Sequence, residues 1–228
     1  MVRLERDGDV FTLQLDGGEN RFGSETVRAM NEALDEVVAA GSPAALVTTG
    51  TGKFYSNGLD LDEMMSDGGA RSGEYLHAVL ALLARTLTFP TVTVAAVNGH
   101  AFGAGAQIAV AHDVRIMRAD RGFFCMPEID MRAPLHPLMT AILAARIPQP
   151  TVHEVITTGK RWGGEEAAAR GIVDHAVSEA DVLPRARQIA AELAAKADPA
   201  LRTLKRGLYA HVVDLVDVPL SAVEGINT

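Results

Sequence analysis

The sequence predicts an α/β fold in which parallel strands are buried by helices. Three observations carry that reading. Segments with strand patterning alternate with segments of helical periodicity along the chain. The strand Ala44-Ala45-Leu46-Val47-Thr48-Thr49 and the run from Val92 to Val97 are apolar or β-branched on both faces, as strands covered on both sides must be. A glycine-rich turn links strand to helix at Leu46–Leu61 and again at Val92–Val110, so two backbone corners of similar chemistry are expected to face one another.

Taken in order, Val10-Phe11-Thr12-Leu13-Gln14-Leu15 alternates apolar with polar residues and reads as a half-buried strand. A helix follows, carried by Val27, Met30, Leu34, Val37 and Val38, with Ser24 as its expected N-cap and Gly41 near its end. The strand from Ala44 closes at Gly50 and Gly52, and Lys53 to Leu61 reads as a loop turning into a short helix. After the break at Asp67-Gly68-Gly69, apolar spacing from Tyr75 to Leu87 predicts a helix that stops before Pro90. Val92 to Val97 is a strand ending at the turn Asn98-Gly99, followed by a tight loop and a buried helix from Gly103. Further helices are expected over 135–147, 151–158, 182–196 and 201–213, with a short one between Gly163 and Gly171 and a strand at Ile172-Val173. No strict repeat or low-complexity segment is apparent.

Composition excludes several classes. The 228 residues suit one large domain or a domain with a small appendage, and 48% hydrophobic with 22% charged residues is ordinary for a soluble globular protein. Lys and Arg total 21 against 29 Asp and Glu, a formal charge of −8, which argues against nucleic acid as a partner. A single cysteine, Cys125, excludes an internal disulfide and fits a reducing compartment. No apolar run approaches the roughly 18 residues of a membrane span, and the N-terminus lacks a hydrophobic signal core, so a cytoplasmic protein without membrane contact is expected. The seven histidines show no metal-ligand spacing, and no metal or separate cofactor is expected.

The stretch from Val92 to Glu128 carries the most chemistry. A helix opening on Gly103-Ala104-Gly105 offers unpaired backbone N–H groups with little side chain in the way. Such a terminus suits an anion or an oxygen that gains negative charge, though small residues there also serve close helix–strand packing. The G-x-x-x-G-x-G pattern from Gly99 is not the dinucleotide G-x-G-x-x-G fingerprint. Ser56 and Cys125 lack a nucleophile signature such as G-x-S-x-G.

Two motifs together identify a family. Lys53-Phe54-Tyr55-Ser56-Asn57-Gly58-Leu59-Asp60-Leu61 resembles the F-x-x-G-x-D-L loop of the crotonase (enoyl-CoA hydratase/isomerase) superfamily, and Asn98 to Gly105 resembles its N-G-x-A-x-G-G-G helix start. Met126-Pro127-Glu128 and the segment from Trp162-Gly163-Gly164 to Gly171-Ile172-Val173-Asp174 follow in the matching order. Within the superfamily, Met117 to Gly122 and Met126 to Asp130 are most similar to plant-type monofunctional Δ3,Δ2-enoyl-CoA isomerases. The resemblance implies a spiral of ββα units over residues 1–195, with a helical region, 196–228, for oligomer contacts in a homotrimer or dimer of trimers. It also implies an acyl-CoA thioester as substrate, in fatty-acid degradation.

On that resemblance, the Leu59 and Ala104 amides form an oxyanion hole and Glu128 is the catalytic acid/base. The second carboxylate of hydratases falls at Gln107, which cannot accept a proton at neutral pH. Hydration needs two such groups and isomerisation one, so the departure favours isomerisation. Burial beside Phe123, Met126 and Met131 is expected to raise the Glu128 pKa, while Asp130 and Asp60 are nearby competitors, Asp60 being read as an N-terminal helix charge. CoA phosphates require cations, for which Arg21, Lys53 and Lys205 are candidates, with Arg202 and Arg206 beside the last. Phe54, Ser56, Asn57, Gly58, Asp60, His100 and Gly103 are carried over as substrate-binding positions, and His136 is a weaker candidate. Met117, Met126, Met131 and Met139 fit the core or an acyl pocket. The alternatives are another crotonase reaction (weak hydration, hydrolysis or decarboxylation) and a catalytically silent acyl-CoA-binding subunit.

Overall fold

A computed structural model describes residues 1–219 of the chain. It opens with strands β1 (Val2–Asp7) and β2 (Val10–Leu15), helix α1 (Ser24–Ala39), strands β3 (Ala45–Gly50) and β4 (Phe54–Ser56), and helices α2 (Leu61–Met64) and α3 (Ser72–Leu87). Then come β5 (Val92–Val97), β6 (His100–Phe102), α4 (Ala104–Ala111), β7 (Val114–Arg118), β8 (Phe124–Cys125) and α5 (Glu128–Met131). The remainder is α6 (Pro137–Arg146), α7 (Gln149–Thr158), α8 (Gly164–Ala169), β9 (His175–Val177), α9 (Glu179–Leu193) and α10 (Pro199–Val213).

The strands form two sheets, a large one ordered β1-β2-β3-β5-β7-β9 and a small one ordered β4-β6-β8. Among the described residues β1 pairs antiparallel with β2 and the other strand pairs of both sheets are parallel, with an isolated antiparallel bridge from Phe124 to Trp162. The chain therefore advances by a repeated step: one strand to the large sheet, one to the small, then a helix. β3–β4–α2, β5–β6–α4 and β7–β8–α5 are three such turns of a ββα spiral.

The period-2 pattern of the strands divides the core. Ala45 and Val47 of β3 and Val92, Val94 and Ala96 of β5 face α9, where Val182, Ala186, Ile189 and Ala190 cover them. Leu46, Ala95 and Val97 point the other way, into the larger core shared with α1, α3, α4 and α6. Both faces of these strands are buried, which is why they read as apolar runs rather than alternations. α10 returns to the same larger core through Tyr209 and Val212.

Several elements differ from the sequence expectation. β1 leaves no signal in the sequence: VRLERD is a mostly exposed edge strand, and its apolar residues are too few to mark it. β4, β6 and β8 occupy stretches read as loop or left unassigned, since two or three residues leave no periodicity to detect. Ile172 and Val173 are buried but do not form a strand; the last one begins at His175. Ser24 is the first helical residue and not the cap, which is Gly23 without a side-chain bond; the Ser24 N–H donates to Glu63 Oε2 at 2.9 Å. Val38, expected on the buried face of α1, is 44% exposed. Residues 220–228 of the expected C-terminal region lie outside the described residues.

Candidate active site

β4 and β6 run parallel and adjacent, so the chain leaves both at the same edge of the small sheet. From β4 it passes through Asn57 and Gly58 to Leu59; from β6 it passes through Gly103 into α4. The two exits touch. Gly58 has φ +84°, and a Cβ there would lie 2.7 Å from the Phe102 carbonyl oxygen and 3.0 Å from the Ala104 nitrogen. Gly105 packs the start of α4 onto β4 so closely that a Cβ would come within 2.3 Å of the Ser56 oxygen. Only glycine permits that approach.

Ser56, fully buried, shapes the first corner by donating to the Asn20 carbonyl at 2.7 Å and accepting from the Gly58 N–H at 3.1 Å. Asn20, itself at φ +54°, donates to the Phe54 carbonyl at 2.9 Å and so ties the β2–α1 connection to β4. Asp60 accepts from the Glu63 N–H and caps α2, in line with its reading as a helix charge, while its own N–H donates to the Tyr75 hydroxyl at 2.8 Å. Among the described residues no acceptor faces the Leu59 or the Ala104 N–H.

Both residues line a cavity of about 470 Å³, with Gly103, Asn57, Arg21 and Glu128. Its walls are largely apolar, from Leu61 and Met64 of α2, Leu76 of α3, Phe102, Met131 at the end of α5, and Leu135 and Met139 beyond it. The wall residues come from five separate segments, and their meeting is a tertiary fact that the sequence does not display. Glu128 is the first residue of α5, and its Oε1 would lie 3.5 Å from a Cβ on Gly103. Its Oε2 is buried without a hydrogen-bond partner among the described residues. Burial pushes the Glu128 carboxyl up to about 7. Met126 is buried and Met131 lines the cavity, whereas Phe123 is 38% exposed and packs on His100, so it does little to desolvate the acid.

Gln107, one turn into α4, is fully buried with neither amide atom partnered among the described residues. Asp130 faces the start of the α7–α8 connection, where a Cβ on Gly159 would meet its Oδ2 at 2.7 Å.

The candidate cations separate. Arg21 lines the cavity while bridging Glu19 at 2.7 Å and Asp62 at 2.8 Å. Lys53 lies over the Phe54 ring at 5.4 Å and shares a different cleft with His100 and Arg121. Lys205, expected at the CoA phosphates, does not line the cavity: only 6% exposed, its ammonium donates to the Thr91 carbonyl at 2.8 Å and to Asp113 Oδ2, so it joins α10 to the β5 region. The helical pattern placed it on the right element but could not say which side was covered.

His100 and Phe54 also lie outside the cavity. The His100 ring stacks at 5.0–5.6 Å among Phe54, Phe102 and Phe123, and burial, then the nearby Lys53, Arg161 and Arg121, lowers its pKa. His136 does line the cavity, with Nδ1 accepting from the Leu138 N–H and Nε2 2.6 Å from the Val218 carbonyl. Of the four methionines considered for an acyl pocket, Met117 and Met126 are core residues, and Met131 and Met139 line the cavity.

The family model described as enoyl-CoA hydratase/isomerase matches residues 5–219. Enoyl-CoA delta isomerase 3 of Arabidopsis thaliana is 35% identical over 228 residues, covering 96% of each chain. Enoyl-CoA delta isomerase 2, peroxisomal, of the same plant is 34% identical, covering 95% of each. Among solved structures, a probable enoyl-CoA hydratase from Mycobacterium tuberculosis superposes with a TM-score of 0.89 at 25% identity, covering 97% of this chain and 94% of that one.

Proposed function

Because the chain belongs to the enoyl-CoA hydratase/isomerase family, crotonase-fold enzymes that act on acyl-CoA thioesters, we propose that it is a Δ3,Δ2-enoyl-CoA isomerase of fatty-acid degradation, with Glu128 as its sole acid/base. In this reading the thioester oxygen of a 3-enoyl-CoA accepts hydrogen bonds from the Leu59 and Ala104 N–H groups. Ionised Glu128 removes a proton from C2. The C–H electrons form the C1–C2 double bond of a dienolate, and the carbonyl electrons move to the oxygen held by the two amides. Protonated Glu128 then returns the proton to C4: the C3–C4 π electrons form the C4–H bond, the C1–C2 pair moves to C2–C3, and the oxygen electrons re-form the carbonyl. Atoms and charge balance without water.

Losing one such amide donor typically costs about 3 kcal/mol of transition-state stabilisation. A carboxyl pushed up to about 7 suits both halves of the transfer, since it accepts a proton near neutral pH and gives it back without a large barrier. The observation that carries the reading is a desolvated Glu128 on the wall of the same cavity as Leu59 and Ala104; Gln107, buried in α4 outside that lining, is an amide where the family resemblance puts the second acid of a hydrating enzyme. The Arabidopsis relatives carry the same activity in their names.

Arg21, at the cavity wall, is the cation proposed to meet CoA once its carboxylate partners give way. The oligomer is proposed to be a trimer or dimer of trimers that uses residues 196–228; Leu204 and Leu208, 69% and 64% exposed one turn apart on α10, offer an apolar contact. The cytoplasmic location inferred from the lone cysteine is kept, and fractionation decides it, given a peroxisomal relative.

The test is to incubate the enzyme separately with 3-enoyl-CoA and 2-enoyl-CoA. Interconversion of the two, abolished in Glu128→Gln with acyl-CoA binding retained, is the expected result. Persistent turnover in that variant removes Glu128 from the mechanism, and a hydrated product as the main outcome replaces isomerisation.

A further inference from the structure

Behind the two corners lies a buried chain of hydrogen bonds that the reaction does not use. The Tyr55 hydroxyl of β4 is 2.7 Å from Thr48 Oγ1 of β3, which is 2.9 Å from His112 Nε2 at the end of α4; His112 Nδ1 is 2.6 Å from the Ile108 carbonyl oxygen. Tyr55, Thr48 and His112 are 1%, 5% and 0% exposed.

The direction of the chain follows from its last link. A carbonyl only accepts, so His112 Nδ1 carries the proton. Burial holds the imidazole pKa down at about 4, outweighing the Ile108 carbonyl and Asp113, with Lys205 and Arg115 adding to the depression. The ring is therefore neutral and Nε2 is an acceptor. Thr48 must then donate to His112 and accept from Tyr55. Every proton is assigned and no donor is left over.

This chain joins the middle of β4, just before the first corner, to the far end of α4, the helix that begins at the second. Tyr55 lies four residues before Leu59 and two before the loop. His112 terminates α4, whose first residue is Ala104, and its ring occupies a helix carbonyl that the backbone leaves free, because the His112 N–H turns to Ala109 instead. α4 has eight residues and is about 12 Å long, so a small displacement at its end tilts the amide at its start. At the near end the contact is glycine against backbone, which fixes approach but not tilt.

We propose that the Tyr55–Thr48–His112 chain is a positioning device that sets the separation and alignment of the Leu59 and Ala104 N–H groups. It rests on the reading of those amides as the oxyanion donors. Tyr55, Thr48 and His112 touch no substrate and act through the backbone.

The experiment compares Tyr55→Phe, Thr48→Val and Thr48→Ser with the enzyme itself and with Thr86→Val. Thr86 is a buried hydroxyl bonded to the Leu82 carbonyl within α3, outside the chain, and serves as a stability control. Turnover of 3-enoyl-CoA is measured beside denaturation midpoints and the infrared carbonyl band of a bound, unreactive acyl-CoA. Tyr55→Phe and Thr48→Val should lower kcat roughly tenfold or more, as expected for a small misplacement of catalytic groups, with KM little changed and the carbonyl band moved towards its solution position. Thr48→Ser, which retains the hydroxyl, should restore both, and Thr86→Val should alter neither.

The proposal is overturned if folded Tyr55→Phe keeps kcat and the carbonyl band, or if Thr86→Val loses as much kcat at a matched loss of stability. An enzyme that polarises the carbonyl yet does not isomerise sinks the functional reading while the band still tests the chain. An enzyme that shows no carbonyl shift sinks both.

Discussion

Glutamine at position 128 keeps the size of the side chain and removes its charge, so it separates the energetic cost of the acid from its shape. Burial raises the Glu128 carboxyl from an ordinary 4.5 to about 7. At about 1.4 kcal/mol for each tenfold change in proton affinity, the rise corresponds to about 3 kcal/mol. Its sign is unfavourable to the folded enzyme. The native state holds the proton more tightly than the unfolded chain, so the cost is absent well below 4.5, grows as pH rises and is complete above about 7. Denaturant unfolding of the enzyme and of Glu128→Gln, near pH 5 and near pH 8, isolates this contribution because other titrations cancel in the difference. The variant should gain about 2–3 kcal/mol relative to the parent between those two conditions. For the parent, kcat/KM should fall on the acid side with an apparent pKa near 7, since only ionised Glu128 accepts the C2 proton. A stability difference that does not change with pH would refute the claim that Glu128 is desolvated, and with it the account of how it serves as both base and acid.

Two further substitutions probe the neighbouring assignments. Gln107→Glu places a second carboxyl where both amide atoms now lack partners, and should add hydrated product from 2-enoyl-CoA, read by mass; no gain would mean that the position does not reach a substrate-bound water. Lys205→Met should destabilise the protein by about 3 kcal/mol by stranding Asp113, while leaving acyl-CoA affinity unchanged in a titration. A loss of affinity at unchanged stability would return Lys205 to the binding site.

Legibility in the sequence followed the length scale of each feature. Long elements buried on one or both faces, such as α3 and β5, announce themselves through periodicity, and Asp60 reads as a charge at a helix start, though its side-chain cap on the Glu63 N–H does not. The small sheet was not, because β8 is a pair of residues and its pairing partners come from remote segments. The site was readable where it depends on backbone: glycines 58 and 103, both at positive φ, mark the turns whose amides line the cavity. It was unreadable where it depends on which side of a helix faces inward. Lys205 and Arg206 are neighbours on α10, yet only the first is buried, and Arg21 was indistinguishable from any solvated arginine until its bridge from Glu19 to Asp62 was seen.

The site combines three arrangements that each oppose folding. Among the described residues the Leu59 and Ala104 amides, at the cavity wall, have no acceptor, two glycines lose more conformational entropy on folding than other residues would, and a carboxyl is held in apolar surroundings. None is relieved locally: the glycine contacts are with backbone, and the carboxyl has apolar side chains around it. The offset comes from the spiral itself. Each turn delivers one strand to a sheet buried on both faces and the next to the small sheet beside the cavity, so the apolar packing that makes the fold stable also fixes where β4 and β6 end. A structure that placed its reactive groups on surface loops would have to hold them with side chains. Here the main chain is already held, and on the proposed mechanism the identity of the side chains at positions 59 and 104 matters less than the geometry of the peptide bonds that precede them.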